Sequence, residues 1–275
     1  MITRDLVPLR RLAAEITDGL GIRLPETKLS MLQSRLQRRM HALGLSTVAE
    51  YEQRLRDPAH ASVERTALFD LATTNKTDFF RESAHFTFLA NEALPALAAG
   101  RPRWTCRVWC AGCSTGQEAY TLAMVLDDYG RRFPGFTYEI VATDVSTRVL
   151  QEAVTATYDA ELVEPVPATF RRRYLLHGRG ERAGLVRVVP ELRAKIRFSQ
   201  LNFMDDRYTV EGPFDVVFFR NVMIYFDKPT VQQVVERQCA LMRPGGYLFI
   251  AHTESLGGLT LPVVTVGNSV HRKRT

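Results

Sequence analysis

The residues best suited to chemistry are Ala-Gly-Cys-Ser-Thr-Gly-Gln-Glu at 111–118, after one apolar run, and Asp144, which closes the next. Ala111, Gly112 and Gly116 are small enough to let a ligand reach the backbone, and the start of the following helix offers free N–H donors. Those donors suit an anionic or carboxylate group. The spacing is not Gly-x-Gly-x-x-Gly, which disfavours a pyrophosphate-binding dinucleotide site, and no Gly-Lys-Ser/Thr follows to make a phosphate loop. Asp144 falls at the same sheet edge as the loop, where a carboxylate can bond both hydroxyls of a ribose or cap the next helix. Loop and acid together point to a nucleoside-containing cofactor, with NAD and S-adenosylmethionine both compatible. Cys110 and Cys113 have C-x-x-C spacing, which serves zinc or a redox pair elsewhere. No second pair completes a tetrahedral set, and half-buried thiols in a reducing cytosol are the plainer reading, with no metal.

Two kinds of element must position these residues. The first 90 residues read as an α-helical domain, with Leu29, Leu32, Leu36, Met40 and Leu43 spaced by three and four and Gly44 as a stop. Further helical stretches are expected at 49–55, 67–72 and 86–97. From 91 to 275 the pattern alternates: strands at 107–110, 138–142, 195–200, 214–219 and 247–251, with helices through Asp128, through Ala156 and over 229–242. Such alternation predicts an α/β fold, a doubly wound Rossmann-like parallel sheet. The stretch 169–194 breaks the rhythm with Gly178, Gly180, Gly184, the alternating GLVRVVP and arginines at 171–173, 179, 182, 187 and 193. It reads as a helix through Arg173 and two short strands, a small antiparallel β-subdomain inserted before the third core strand.

Bulk properties narrow the setting. The chain has 275 residues, 45% hydrophobic and 24% charged, with no apolar run near the roughly 20 residues of a membrane span. Its first residues, MITRDLVPLRRLAAEI, hold neither an uninterrupted apolar core nor a cleavage site, so a cytoplasmic protein with no membrane insertion is expected. A net charge of +6 and a pI near 9.3 favour acidic partners, whether nucleic acid or a glutamate-rich protein surface.

The segments TTNKTDFFRE (73–82), RVWCAGCSTGQEAY (107–120), ATDVS (142–146) and FFRNVMIYFDK (218–228) resemble the CheR family, methyltransferases that esterify glutamates of chemotaxis receptors. The likeness extends to KLSMLQSRLQRRM, GLVRVVPEL and LMRPGGYLFIAHTES, so it spans nearly the whole chain. It implies an N-terminal helical domain, a methyltransferase domain and an inserted three-stranded β-subdomain. It also implies S-adenosylmethionine as cofactor, S-adenosylhomocysteine as product, and contacts from Asn75, Thr77, Arg81, Glu118, Asp144, Asn202, Phe203, Arg220 and Asn221. Asp144 is expected on the ribose, Asn202 near the adenine and Glu118 on the cofactor amine. Arg81 or Arg220 is expected on the methionine carboxylate. The family often shows A-x-H-S-E where this chain has Ala251-His252-Thr253-Glu254-Ser255, and the SLGGL that follows lacks the usual aromatic residues.

A glutamate side chain is ionised at pH 7, so attack on a sulfonium methyl needs position and desolvation rather than a base. Tyr225 and the Arg220-Asn221 backbone are the expected donors that place the acceptor oxygen. Lys28, Arg35, Arg38 and Arg39, flanking one apolar helix stripe, are expected to face the cytoplasmic helices of methyl-accepting receptors. The β-subdomain is expected to take a receptor C-terminal peptide as an added strand. The protein is expected to act as a monomer on no nucleic acid, because Arg220–Tyr225 lacks the Asp/Asn-Pro-Pro-Tyr common in amine methylation of bases. A nucleic-acid methyltransferase with a basic clamp, and a non-catalytic scaffold, are the competing readings.

Overall fold

The computed structural model describes residues 5–274. Four helices open the chain: α1 (Leu6–Leu20), α2 (Leu29–Ala42), α3 (Val48–Arg56) and α4 (Ala61–Ala72). On α2 the residues buried are Leu29, Leu32, Leu36 and Met40, the stripe that the three-and-four spacing predicts. Gly44 beyond it has φ 69°, a left-handed stop that a side chain would strain. Thr47 and Glu50 close a capping box on α3, each bonding the other's backbone N–H. These helices share a core around Leu9, Leu12, Ile16, Leu36, Tyr51 and Leu68.

The next helical stretch serves a different core. It comprises α5 (Ala84–Phe88), a π-helical turn Leu89–Ala93 and α6 (Leu94–Ala98). Its buried Phe86, Leu89, Leu94 and Leu97 pack into the core of the sheet. Allegiance therefore changes between Ala72 and Phe79, ahead of the division at residue 90 that helical composition suggests.

The sheet follows. In chain order its elements are β1 (Trp104–Ala111), α7 (Gln117–Arg132), β2 (Phe136–Asp144) and α8 (Thr147–Thr155). Then come β3 (Thr157–Asp159), α9 (Ala168–Tyr174), β4 (Leu175–His177), β5 (Leu185–Val188), α10 (Pro190–Arg193) and β6 (Ile196–Gln200). The chain closes with β7 (Phe214–Phe218), α11 (Lys228–Ala240), β8 (Met242–Phe249), β9 (Val263–Gly267) and β10 (Val270–Lys273). The main sheet has seven strands in the order β6-β2-β1-β7-β8-β10-β9. The first five are parallel and β10 and β9 antiparallel. Every residue of β7, Phe-Asp-Val-Val-Phe, is buried, as a central strand covered on both faces requires. Strand order reverses between β1 and β7, which opens a crevice at their C-terminal ends, the place where doubly wound sheets hold ligands.

Two features depart from the sequence expectation. The small sheet has the order β3-β5-β4, so it recruits Thr157–Asp159 from upstream of the 169–194 stretch. The terminal hairpin β9–β10 was not anticipated; its five-residue and four-residue strands are short, and Ser269 at φ 56° makes a turn without the Asn-Gly or Asp-Gly that marks such hairpins.

Charged side chains hold the helical domain from inside. Glu64, with a side chain 1% exposed, receives Arg39 at 2.9 and 3.0 Å and Arg54 at 3.1 Å. Burial pushes its carboxyl up, but the two guanidinium groups win and hold it below the ordinary range. Glu52 is held low the same way, first by its bonds to Arg11. A lowered carboxyl contributes stability above the ordinary glutamate range, and that contribution is lost as pH falls through the folded value. Arg39→Ala should destabilise the fold by about 2 kcal/mol at pH 7. The penalty should shrink in thermal melts as pH drops well below about 4.3; a melting temperature unchanged at neutral pH would remove the pair from the fold's support.

Candidate active site

All nine residues expected at the cofactor, and Tyr225, line one cleft at the C-terminal ends of the parallel strands. Gly112, φ 85°, stands where β1 ends; a Cβ there would lie 2.5 Å from a Val222 methyl. Gly116 has a different use from the one its position suggests. A Cβ on it would meet Ala153 and Tyr158 at 3.0 Å, so its smallness lets α7 start against α8 and β3 rather than admit a ligand. Ala111 is wholly buried and outside the cleft lining.

Asp144 joins the two strand ends. Its Oδ2 accepts the Ser114 N–H at 2.9 Å and its Oδ1 the Ser146 N–H at 3.0 Å. Burial raises its carboxyl, opposed by these N–H donors. Ser146, not Asp144, caps α8 by accepting the Val149 N–H. Asp144 is thus left facing the cleft with a free lone pair on each oxygen. The Ser114 hydroxyl donates to the Asn75 carbonyl at 2.8 Å and ties the linker after α4 to the same loop. Thr77 lines the cleft on that linker.

Arg220, after β7, has no exposed side-chain surface. It pairs with Glu118 at 2.8 Å and Glu82 at 3.1 Å and donates to the Arg81 carbonyl at 2.6 Å. Its Nε has no partner among the described residues. Burial raises the Glu118 carboxyl, with Arg220 pulling the other way. Cys110 donates to Glu118 at 3.4 Å, and burial pushes the thiols of Cys110 and Cys113 well up, so both are inert. Arg81, by contrast, is half-buried in the cleft, and its guanidinium's one recorded bond reaches the Lys76 carbonyl at 3.1 Å. Glu82, His85 and His252 also cluster, but the Glu82 Oε2 already takes Arg220 and the His252 N–H.

The helical domain supplies the opposite wall. Leu20, Ile22 and Ala72 line the cleft, a contribution invisible in local patterns because it depends on how two domains meet. Asn202 makes part of that joint: its amide donates to the Gly19 carbonyl at 2.7 Å and its Oδ1 accepts the Met204 N–H at 3.0 Å. Phe203 beside it packs on Trp109 and Phe219. Tyr225 is half-buried; its carbonyl accepts the Arg23 N–H, and its hydroxyl makes only a 3.5 Å contact with the Thr74 carbonyl.

Two expectations need correction. The Asn221 N–H is not free for a substrate, because it donates to Glu254 Oε2 at 3.1 Å. On α2, Arg35 and Arg39 do not form an outward docking face. Arg35 donates to the Leu71 and Thr73 carbonyls, each at 2.8 Å, and Arg39 pairs with Glu64. Arg35 satisfies half-buried carbonyls at the end of α4, and Arg39 the buried Glu64 within it. Lys28 and Arg38 are exposed, and the Lys28 ammonium lies 5.8 Å from the centre of the Tyr225 ring, beside the cleft. The important residue that sequence reasoning missed is Glu254, noted only as part of a variant tail motif.

The family profile described as "CheR methyltransferase, SAM binding domain" matches residues 75–269, and the one described as "CheR methyltransferase, all-alpha domain" matches 8–73. A protein of Pseudomonas aeruginosa named chemotaxis protein methyltransferase 2 is 41% identical over 252 residues, covering 91% of this chain and 87% of that one. A chemotaxis protein methyltransferase of Escherichia coli is 38% identical over 262 residues, covering 95% of this chain and 89% of its own. With both domains matched in order and the predicted residues gathered in one cleft, the chain belongs to the CheR methyltransferase family.

Proposed function

We propose that this protein transfers the methyl group of S-adenosylmethionine to glutamate carboxylates on the cytoplasmic helices of chemoreceptors, acting as a monomer in the cytoplasm. The observation that carries the reading is the convergence of nine expected cofactor residues and Tyr225 on one cleft at the sheet's switch point. The residues fit the cofactor on this structure's own terms. Asp144 lines the cleft with carboxylate acceptors, and among the described residues the buried Arg220 Nε lacks a partner. Among the described residues no helix is long and apolar enough to cross a membrane.

The cofactor, when bound, supplies a methyl group activated on a sulfonium sulfur. A carboxylate oxygen would take that methyl group as the carbon–sulfur bond breaks, with S-adenosylhomocysteine as the leaving group. No proton moves, because the acceptor is already a carboxylate. This chain's residues hold the two partners in line and exclude water. Asp144 would hold the ribose, Leu20 and Ile22 would cover the adenine with Phe203, and Glu118 would accept from the amine. Arg81 is the better partner for the methionine carboxylate, because Arg220 is committed to Glu118 and Glu82. The Tyr225 hydroxyl, without a strong internal bond, can steer the acceptor oxygen. The basic insertion would serve as a second contact. Among the described residues its β4 pairs with β5 alone and leaves its other edge free, with Arg179, Arg182 and Arg187 exposed around it. A receptor C-terminal peptide could add there as a strand, which calorimetry with such peptides would detect.

Incubation with methyl-labelled cofactor and receptor-bearing membranes should place base-labile label on the receptor. Label that survives mild base, or that appears on added RNA or DNA instead, would replace the glutamate reading with nucleic-acid methylation. Arg81→Ala should weaken S-adenosylmethionine about 10-fold or more while leaving the affinity for methylthioadenosine, which lacks the amino acid, within about twofold. Equal losses for both would take Arg81 off the carboxylate. Reversing Lys28 and Arg38 to Glu should raise the receptor KM by about 10-fold with cofactor affinity unmoved, more so at low salt. Unchanged KM would place receptor docking on another face.

A further inference from the structure

The loop after β7 carries both Asn221 and Tyr225, and one carboxylate holds it. Glu254 sits just past β8, 9% exposed. Its Oε2 accepts the Asn221 N–H at 3.1 Å and the Ala251 N–H at 2.9 Å, while its Oε1 accepts the Met223 N–H at 2.9 Å. The ends of two neighbouring parallel strands are thereby clamped to a single anion. Asn221 is held at φ 60°, a left-handed conformation that a residue with a side chain adopts only when its surroundings insist. Tyr225 ends the turn that starts there: its N–H bonds the Val222 carbonyl, and Val222 itself meets Gly112 across the cleft.

We propose that Glu254 is a positioning residue for methyl transfer, which fixes the Asn221–Tyr225 turn and withholds its backbone donors from the acceptor carboxylate. The second part follows from nucleophile chemistry. Backbone N–H groups at a strand end are strong donors to an anion. Left free, the N–H of Asn221, a residue that lines the cleft, would bind the acceptor oxygen in the ground state, where its charge is greatest, and would bind it less as the ester forms. Such binding slows the step it surrounds. With Glu254 in place the Asn221 N–H is taken, and the neutral Tyr225 hydroxyl and the Asn221 amide are left to meet the acceptor. Glu254 touches neither substrate nor cofactor on this account and acts through the turn.

The inference rests on the receptor-glutamate reading, so its test keeps the wild type in every assay. Glu254→Gln preserves shape but turns one oxygen into a donor facing donors, which should loosen the turn. Its kcat on receptor should fall about 10- to 100-fold, with receptor KM and cofactor Kd within about threefold of wild type. Glu254→Asp keeps the charge on an arm one methylene shorter and should fall between the two, which guards against a Gln variant that fails to fold. Melting temperatures with and without S-adenosylhomocysteine report the folded fraction. Wild-type kcat in either folded variant overturns the proposal. So does a loss of activity matched by the loss of folded protein or of cofactor affinity, which would make Glu254 a structural or cofactor-binding residue. Failure of the wild type itself to label receptors would overturn the receptor reading instead.

Discussion

A guanidinium with no exposed surface must find its counter-charges within the protein, and Arg220 organises the site around that demand. Desolvating such a cation costs several kcal/mol, recovered only when its donors meet well-placed acceptors. The acceptors come from separate parts of the chain: Glu118 from the first turn of α7, and Glu82 with the Arg81 carbonyl from the linker before α5. Phe86 and Phe218 add their ring faces at 5.6 and 5.9 Å. One buried charge therefore sets β7, α7 and the linker in register with one another. Removing any acceptor would leave part of that charge unpaired, so the linker bearing Asn75, Thr77 and Arg81 is held by the same interaction that builds the cleft floor.

The helical domain then closes the cleft by a second joint with weaker parts. Asn202 reaches the Gly19 carbonyl, the Arg23 N–H reaches the Tyr225 carbonyl, and Gly21 at φ 69° lets the end of α1 come against Met204, where a Cβ would stand 2.7 Å from the sulfur. These are neutral hydrogen bonds and one close approach, each individually modest. The contrast is physical: the cofactor side is locked by a buried ion network, while the domain that lies over it is held by neutral hydrogen bonds and by Val145, Tyr225 and Phe226 packed against its apolar core.

Much of this was legible in the chain because it is local. The α2 stripe, the Gly44 stop, the strand that Asp144 closes and the small-residue loop all follow from periodicity and backbone permissiveness within a few residues. What was not legible depends on distant partners. Arg35 and Arg39 have the spacing of an exposed basic face, yet Glu64 and two carbonyls near the end of α4 claim them; nothing in α2 announces that. Gly116 looks like a ligand glycine until Tyr158, beyond α8, is seen against it. Phe86–Leu97 reads as helix, and is helix, but the core it serves is decided by apolar surface on the sheet. Glu254 stands in a recognisable motif, but its role was hidden because the Asn221 and Met223 N–H groups that it holds lie at the end of another strand.

The arrangement of charge explains how a cleft lined with carboxylates can receive another one. Of the carboxylates that line it, Asp144 accepts two backbone N–H groups and Glu118 pairs with Arg220, which Glu82 holds from behind. Their negative charge is thus spread into fixed dipoles or cancelled inside the wall. The cations left with fewer internal commitments stand nearer the opening: Arg81 on the linker, and Lys28 beside Tyr225. On the function proposed above, an acidic helix would meet that positive rim first, and the chain's net charge of +6 would act in the same direction at longer range. Deeper in, the acceptor oxygen passes from cationic surroundings to neutral donors. That gradient favours capture of a carboxylate at the rim and leaves its oxygen lightly held, and therefore nucleophilic, where the methyl group must be accepted.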